Sequence, residues 1–147
     1  METTIVAVAG TLLGAIVAGG MQHLASLSAR RDRDRQTRTE AIDRLLGNAT
    51  DHRREQYLKH VARREGQTDT HETRRKRYEA RTAMTKALTS VQLSGANEDL
   101  IALAADLVTA STALGDAPSE DRAAVDTAGD TARQAHAALL AAAVRTL

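Results

Sequence analysis

The sequence predicts an all-α protein. An N-terminal single transmembrane helix continues into a long helix, and a cytosolic antiparallel helical bundle follows this long helix. Three features of the 147-residue composition favour this class: aromatic residues make up 1%, proline occurs once, and cysteine is absent. Because β-sheets rely on aromatic, β-branched and turn residues, this composition argues against an all-β fold. Without cysteine, a disulfide scaffold, a zinc–cysteine site and a cysteine nucleophile are excluded.

The charges divide the chain into three zones, although the net charge is only +1. Residues 1–29 carry a single charge, residues 30–81 carry 16 Lys or Arg and 10 Asp or Glu, and residues 82–147 carry 4 and 8. These zones are an apolar head, a basic middle and a mildly acidic, alanine-rich tail. We predict three corresponding parts: a transmembrane anchor over 1–29, a long basic juxtamembrane helix over 30–66, and a helical hairpin or bundle over 67–147.

The apolar head predicts one transmembrane helix over 3–24, because Thr3–Leu24 contains no Asp, Glu, Lys or Arg. Its 18 central residues, Thr4–Met21, span about 27 Å as a helix, close to the roughly 30 Å of a bilayer's hydrocarbon core. The segment lacks the charged face of an interfacial helix and the basic start of a signal peptide. A helix buried in a soluble core would also be apolar all round, and this alternative stays open.

Small residues recur at four-residue spacing in the apolar head, at Gly10, Gly14 and Ala18. On a helix these residues share a face and let a second membrane helix approach closely. We expect this face to mediate self-association or association with another membrane helix. The alternative is that glycine and alanine are simply frequent in this chain and in membrane helices.

Five arginines follow the apolar head and none precedes it. The positive-inside rule therefore predicts an N-terminus outside the cell membrane and a cytoplasmic C-terminal part. Membrane lipids are the predicted partner of this run, which we interpret as a headgroup-binding stop-transfer signal: Arg30, Arg31, Arg33, Arg35 and Arg38. Asp32 and Asp34 interrupt it, which disfavours nucleic acid as the partner.

The basic middle predicts a continuous helix to about Arg64, with Gly47 as the one point where it could kink. Helical spacing predicts its inward-facing residues: Ile42, Leu45, Leu46, Ala49, Leu58, Val61 and Ala62. A second basic run follows at Arg74, Arg75, Lys76 and Arg77, between acidic neighbours. This run is interpreted as a solvated helix face, with contact to an unknown protein partner or to phosphate as the functional alternative.

Three further helices are predicted in the tail, over 70–93, 98–114 and 120–146, with short polar loops between them. Asp69 or Thr70, Asn97 and Ser119 are the predicted N-caps. Helical spacing predicts the inward-facing residues: Ala80, Met84, Ala87, Leu88, Val91, Leu100, Ile101, Ala104, Leu107, Val108, Val125, Ala128, Ala132, Leu139, Ala143 and Val144. Short loops predict antiparallel neighbours, and the thin alanine-rich core predicts a homo-oligomer.

No residue pattern predicts catalysis, a cofactor or a metal, so the protein is not expected to be an enzyme. The sequence contains no phosphate-binding loop, no nucleophile elbow and no H-E-x-x-H motif. His52 and Glu55 have the i, i+3 spacing of di-metal bundles, but no second pair accompanies them, so we interpret them as a surface pair. The scarcity of aromatic residues also disfavours a single-stranded nucleic-acid platform.

Several segments together resemble the KilB type of small actinobacterial proteins. They are TTIVAVAGTLLGAIVAGGMQHL, the arginine run that opens at Ala29-Arg30-Arg31, Asp51-His52-Arg53-Arg54, Tyr78-Glu79-Ala80-Arg81-Thr82-Ala83 and Ser90-Val91-Gln92-Leu93. Such proteins are associated with the spread of conjugative plasmids in Streptomyces-like bacteria. The resemblance implies a membrane-associated accessory role in plasmid transfer, and it carries over no catalytic residues.

The predicted function is therefore that of a single-pass membrane-anchored accessory or scaffold protein, which assists the transfer and spread of a plasmid or mobile element. Two alternatives stay open. One is a holin-like or toxic membrane-perturbing protein, whose Gly- and Ala-rich helix would oligomerise in the bilayer. The other is a nucleic-acid-binding regulator that uses the basic middle of the chain.

Overall fold

A computed structural model describes the backbone of residues 2–146 and the side chains of residues 26–146. This part of the chain forms four helices: α1 (Glu2–Arg64), α2 (His71–Leu93), α3 (Glu98–Asp116) and α4 (Arg122–Thr146). The chain divides into two compact units, which are Met1–Gln36 and Thr37–Leu147. The predictions of an all-α fold and of a helical bundle are confirmed.

The predicted transmembrane segment, residues 3–24, belongs to α1 by its backbone but lies outside the residues whose side chains are described. Among the described residues, no helix has a stretch that is both long enough and apolar enough to cross a membrane. The span therefore stays a prediction from the sequence.

In the unit Thr37–Leu147, the second half of α1 packs with the three later helices around one apolar core. All four helices contribute buried residues to this core: Ala41, Ile42, Leu45, Ala49, Met84, Ala87, Val91, Leu100, Ala104, Leu107, Leu139, Ala142 and Ala143. The Asn48 amide donates to the Ala83 carbonyl of α2, and Arg53 donates to the Ala132 carbonyl of α4, both at 3.1 Å. Alanine at many of these positions allows close helix approach.

Three of the residues that were predicted to face inward are exposed, so these predictions are wrong. Leu58 and Val61 are exposed on α1, and Val144 is 76% exposed on α4. The inward face of α1 continues from Leu45 and Ala49 to residues 52, 56 and 60, at the helical period of 3.6. Leu58 and Val61 lie off this line, so their apolar character does not decide which side of the helix is buried.

The predicted helix ends are confirmed at two N-caps and wrong at a third. The side-chain oxygens of Thr70 and Asn97 accept backbone N–H groups at the starts of α2 and α3, at 3.2 and 2.9 Å. Ser119 does not cap α4. The Asp121 carboxylate instead accepts from the Ala124 N–H at 3.0 Å, and α4 begins at Arg122.

Two glycines within helices have opposite surroundings, and they give a matched pair of substitutions. α1 runs through Gly47 without interruption, and a Cβ added there would meet no atom within 4 Å. Gly129 is buried in α4, and an added Cβ would lie 1.7 Å from the Tyr57 hydroxyl oxygen. That hydroxyl also accepts from Arg133 at 2.9 Å, so Tyr57 crosses directly over Gly129.

We expect Gly47→Ala to raise the free energy of unfolding by up to about 1 kcal/mol, because alanine is the better helix former and the site is open. Gly129→Ala gains the same propensity but must displace Tyr57, so it should lower the free energy of unfolding by roughly 1–3 kcal/mol. Chemical denaturation of both variants measures the difference. Equal stabilisation by the two substitutions would contradict the close contact at Gly129.

Candidate functional site

A row of buried polar side chains continues the inward face of α1 beyond its apolar part. His52, Gln56 and His60 are 1%, 7% and 0% exposed. Ser111 of α3 and Ser119 of the following loop are also buried. The predicted surface position of His52 is therefore wrong, because the helical register turns residue 52 toward the core. Buried polar groups normally have hydrogen-bond partners, so the partners of this row indicate what each member does.

His60 holds the C-terminal end of α3. Its Nε2 lies 2.8 Å from the Leu114 carbonyl oxygen, and its Nδ1 lies 2.8 Å from the Ser119 hydroxyl. Because a carbonyl can only accept, Nε2 carries the hydrogen and Nδ1 accepts from Ser119. Burial lowers the pKa of His60, and this outweighs the opposing effect of the Leu114 carbonyl. The ring is therefore neutral and structural.

Lys59 binds the adjacent carbonyl of the same helix end. Its Nζ donates to the Gly115 carbonyl oxygen at 2.5 Å. The last carbonyls of a helix lack partners within the helix, and a cation there also matches the negative end of the helix dipole. Burial lowers the pKa of Lys59, and the neighbouring cations Arg63 and Arg77 lower it further. Two side chains of α1 thus fix the end of α3.

His52 differs from His60 because its ring has no hydrogen-bond partner. Neither Nδ1 nor Nε2 is bonded, and the hydroxyl of the buried Ser111 is also unpaired. Burial lowers the pKa of His52; the Ser111 backbone opposes this shift, although no hydrogen bond of good geometry joins the two. An unpaired buried polar group costs about 1–3 kcal/mol, so the unpaired ring lowers the stability of the protein.

The unpaired His52 lies in the wall of a cavity of about 270 Å³ between α1, α2 and α3. Five basic residues line the same cavity: Lys59, Arg63, Arg74, Arg77 and Arg81. Two acidic residues, Asp69 and Asp116, also line it. The cavity therefore has an excess of three positive charges.

The charges in the cavity are only partly compensated. Arg77 forms an ion pair with Asp69, which also accepts from the Thr73 hydroxyl at 2.8 Å. The hydrogen bond from Arg77 lowers the pKa of Asp69, so this carboxylate is ionised at neutral pH. Within residues 26–146, Arg63 and Arg81 form no ion pair, and neither does Arg74. Three guanidinium groups at the cavity thus lack a carboxylate partner.

The structure divides the predicted basic run of α2 between two sides of the helix. Arg74 and Arg77 line the cavity. Arg75 and Lys76 form exposed i, i+4 ion pairs with Glu79 and Glu72, at 3.6 and 3.0 Å. Contact of these four residues with a protein partner stays a prediction.

The other predicted site residues lie in the first part of α1. Gly10, Gly14 and Ala18 lie outside the residues whose side chains are described. Four of the stop-transfer arginines are exposed and the fifth, Arg38, is half-buried. Their predicted contacts, with a second helix and with lipid headgroups, stay predictions. In the described part of the chain, no three His, Asp or Glu side chains are grouped to hold a metal ion.

Neither the polar row nor the cavity was predicted from the sequence. Counting the helical register from Leu45 would have found the row, because 45, 49, 52, 56 and 60 follow one face. No sequence signal indicates that Arg81 and Arg63 meet at one cavity, since α1 and α2 bring them together only after packing.

The fold and the cavity define an all-α bundle protein with a basic polar pocket, in the part of the chain that the structure describes. The KilB plasmid transfer protein family matches residues 39–147, which include every residue lining the cavity. The chain belongs to the KilB plasmid transfer protein family, and the resemblance noted in the sequence is confirmed. The family description names plasmid transfer and no chemical reaction.

One curated relative extends this finding. Protein KilB of Streptomyces lividans is 35% identical over 95 residues, which are 63% of this chain and 65% of that protein. The match thus spans slightly less than two thirds of the length of the relative. No solved structure matches this chain.

Proposed function

We propose that this protein is a single-pass membrane-anchored helical accessory protein that assists plasmid transfer and spread. Membership of the KilB plasmid transfer protein family supports a role in plasmid transfer. The observation that carries the anchor is the order of residues along α1: an uncharged apolar segment, then five arginines, then the residues that build the bundle. This order is typical of a helix that leaves the bilayer and continues into the cytoplasm.

In this proposal, the N-terminus lies outside the cell and residues 25–147 lie in the cytoplasm. The arginines between Arg30 and Arg38 contact anionic headgroups, each contributing about 1 kcal/mol near the membrane surface. Gly10, Gly14 and Ala18 form the face through which two copies associate. The bundle is then the part that docks a protein of the transfer machinery.

Fractionation of the full-length protein from a bacterial host, with an alkaline carbonate wash of the membranes, tests the anchor. We expect the protein to stay in the washed pellet. Leu13→Arg places a charge in the middle of the apolar segment, at a cost of about 2.5–3.5 kcal/mol for insertion, and should release a large fraction.

Leu140→Arg is the matched control, because Leu140 is an exposed apolar residue of α4. This variant should fractionate like the unmodified protein. Release of the unmodified protein by the wash would contradict the anchor, and residues 3–24 would then be a core or interface helix of a soluble assembly.

A further inference from the structure

Two independent features of the cavity between α1, α2 and α3 point to a ligand. The first is the His52 ring, which is 1% exposed, lines the cavity and has no hydrogen-bond partner on either nitrogen. The second is the group of three arginines that line the same cavity without an ion pair. From these features, we propose that the cavity binds a small phosphate-bearing anion.

The charge of the cavity favours an anion with more than one negative charge. Asp69 is already neutralised by Arg77, and the single remaining carboxylate, Asp116, cannot offset Lys59 and the unpaired arginines. Guanidinium groups bind phosphate through paired, charge-assisted hydrogen bonds, which are about twice as strong as neutral ones. A bound phosphate group would therefore supply the charge that the protein itself lacks at this place.

The uncharged wall of the cavity also suits phosphate. A neutral imidazole can donate one N–H to a phosphate oxygen, so a ligand that reached the shielded ring nitrogens would give His52 the partner that it lacks. Gln56 and Thr112 add amide and hydroxyl groups to the same wall. The ligand thus explains why a bundle with an alanine-rich core retains an unpaired histidine in its interior.

The size of the cavity restricts the ligand to a small molecule. Its volume of about 270 Å³ is just below the roughly 300–1,000 Å³ that is usual for ligand sites. The cavity has room for a phosphate or diphosphate group, and any further part of the ligand would lie outside it. A nucleic-acid strand would instead follow the outside of α2, where Arg75 and Lys76 are exposed and paired with glutamates.

Isothermal titration calorimetry of the full-length protein in non-ionic detergent tests this proposal, with pyrophosphate as the probe and potassium chloride of equal ionic strength as the reference. We expect one pyrophosphate site per chain. Arg74→Gln should weaken binding about tenfold, because it removes a charge-assisted bond. Arg75→Gln is the matched control, since the neighbouring residue on the same helix does not line the cavity, and should bind as before.

His52→Leu gives a second readout that does not depend on the arginines. This variant should bind pyrophosphate more weakly while the ligand-free protein melts at a higher temperature, because an unpaired buried group has been removed. Two further probes identify the source of the phosphate: tighter binding of ADP than of pyrophosphate indicates a nucleotide, and tighter binding of a soluble short-chain phosphatidic acid indicates a lipid headgroup.

Three results would overturn the proposal. The first is heat from pyrophosphate no larger than from potassium chloride. The second is an equal loss of binding in Arg74→Gln and Arg75→Gln, which would place the anion on the surface of α2. The third is a single-stranded oligonucleotide that binds while pyrophosphate does not compete with it.

Discussion

Replacing His60 by leucine should lower the free energy of unfolding by about 2–6 kcal/mol, whereas the same replacement of His52 should raise it. Both histidines are buried on one face of α1, but only His60 is hydrogen-bonded. His60→Leu leaves the Leu114 carbonyl and the Ser119 hydroxyl without their partner, at about 1–3 kcal/mol each. His52→Leu removes two unpaired nitrogens and leaves an apolar side chain of similar size.

Urea denaturation of the two variants and of the unmodified protein measures both effects under one set of conditions. His71→Gln is a suitable control, because His71 is exposed at the first position of α2 and should tolerate the change. Loss of stability in His52→Leu comparable to that in His60→Leu would contradict the assignment of His52 as unpaired.

The protein should also lose stability as the pH falls from 7 to 5. Burial lowers the pKa of His52, His60 and His136 below the ordinary histidine value of 6.5, and Arg53 lowers that of His136 further. Well above pH 6.5 these rings are neutral in both states, so their contribution to the free energy of unfolding is constant. Below pH 6.5 the unfolded chain binds protons that the folded chain does not, which removes up to about 1.4 kcal/mol per histidine per pH unit.

The loss continues until the pH reaches the lowered pKa of each folded histidine, and it then levels off. Asp69 contributes only at lower pH, because its pKa is held below 3.8 by Arg77. The free energy of unfolding, measured in urea at several pH values, should thus fall as the pH drops below 6.5. In His52→Leu the fall of the free energy of unfolding with pH should be smaller by the contribution of one histidine. A flat profile below pH 6.5 in the unmodified protein would contradict this prediction.

These two predictions bear on function as well as on stability. The bundle retains a buried polar row on the face of α1 that begins as an apolar face, and part of that row is unpaired. The hydrogen bonds of His60 and Lys59 to the end of α3 explain the positions of these two residues. His52 has no such structural task, which makes it the residue whose presence is best explained by a ligand.

The sequence by itself determined the features that depend on neighbours along the chain. Thr70 and Asn97 cap their helices because their side chains reach N–H groups three residues later. The glycines at 66 and 95 end helices because they adopt positive φ angles of 69° and 73°. The three charge zones and the family resemblance also needed only the order of residues.

The tertiary structure decided which side of each helix is buried and which distant groups meet. Apolar character alone predicted that Leu58 and Val61 face inward, but both are exposed. The helical register that Leu45 sets turns His52, Gln56 and His60 inward instead. The local sequence predicted Ser119 as an N-cap. In the folded protein its hydroxyl is instead buried and hydrogen-bonded to His60, 59 residues away. The unpaired arginines gather at one cavity for the same reason, because helix packing brings together groups that local sequence keeps apart.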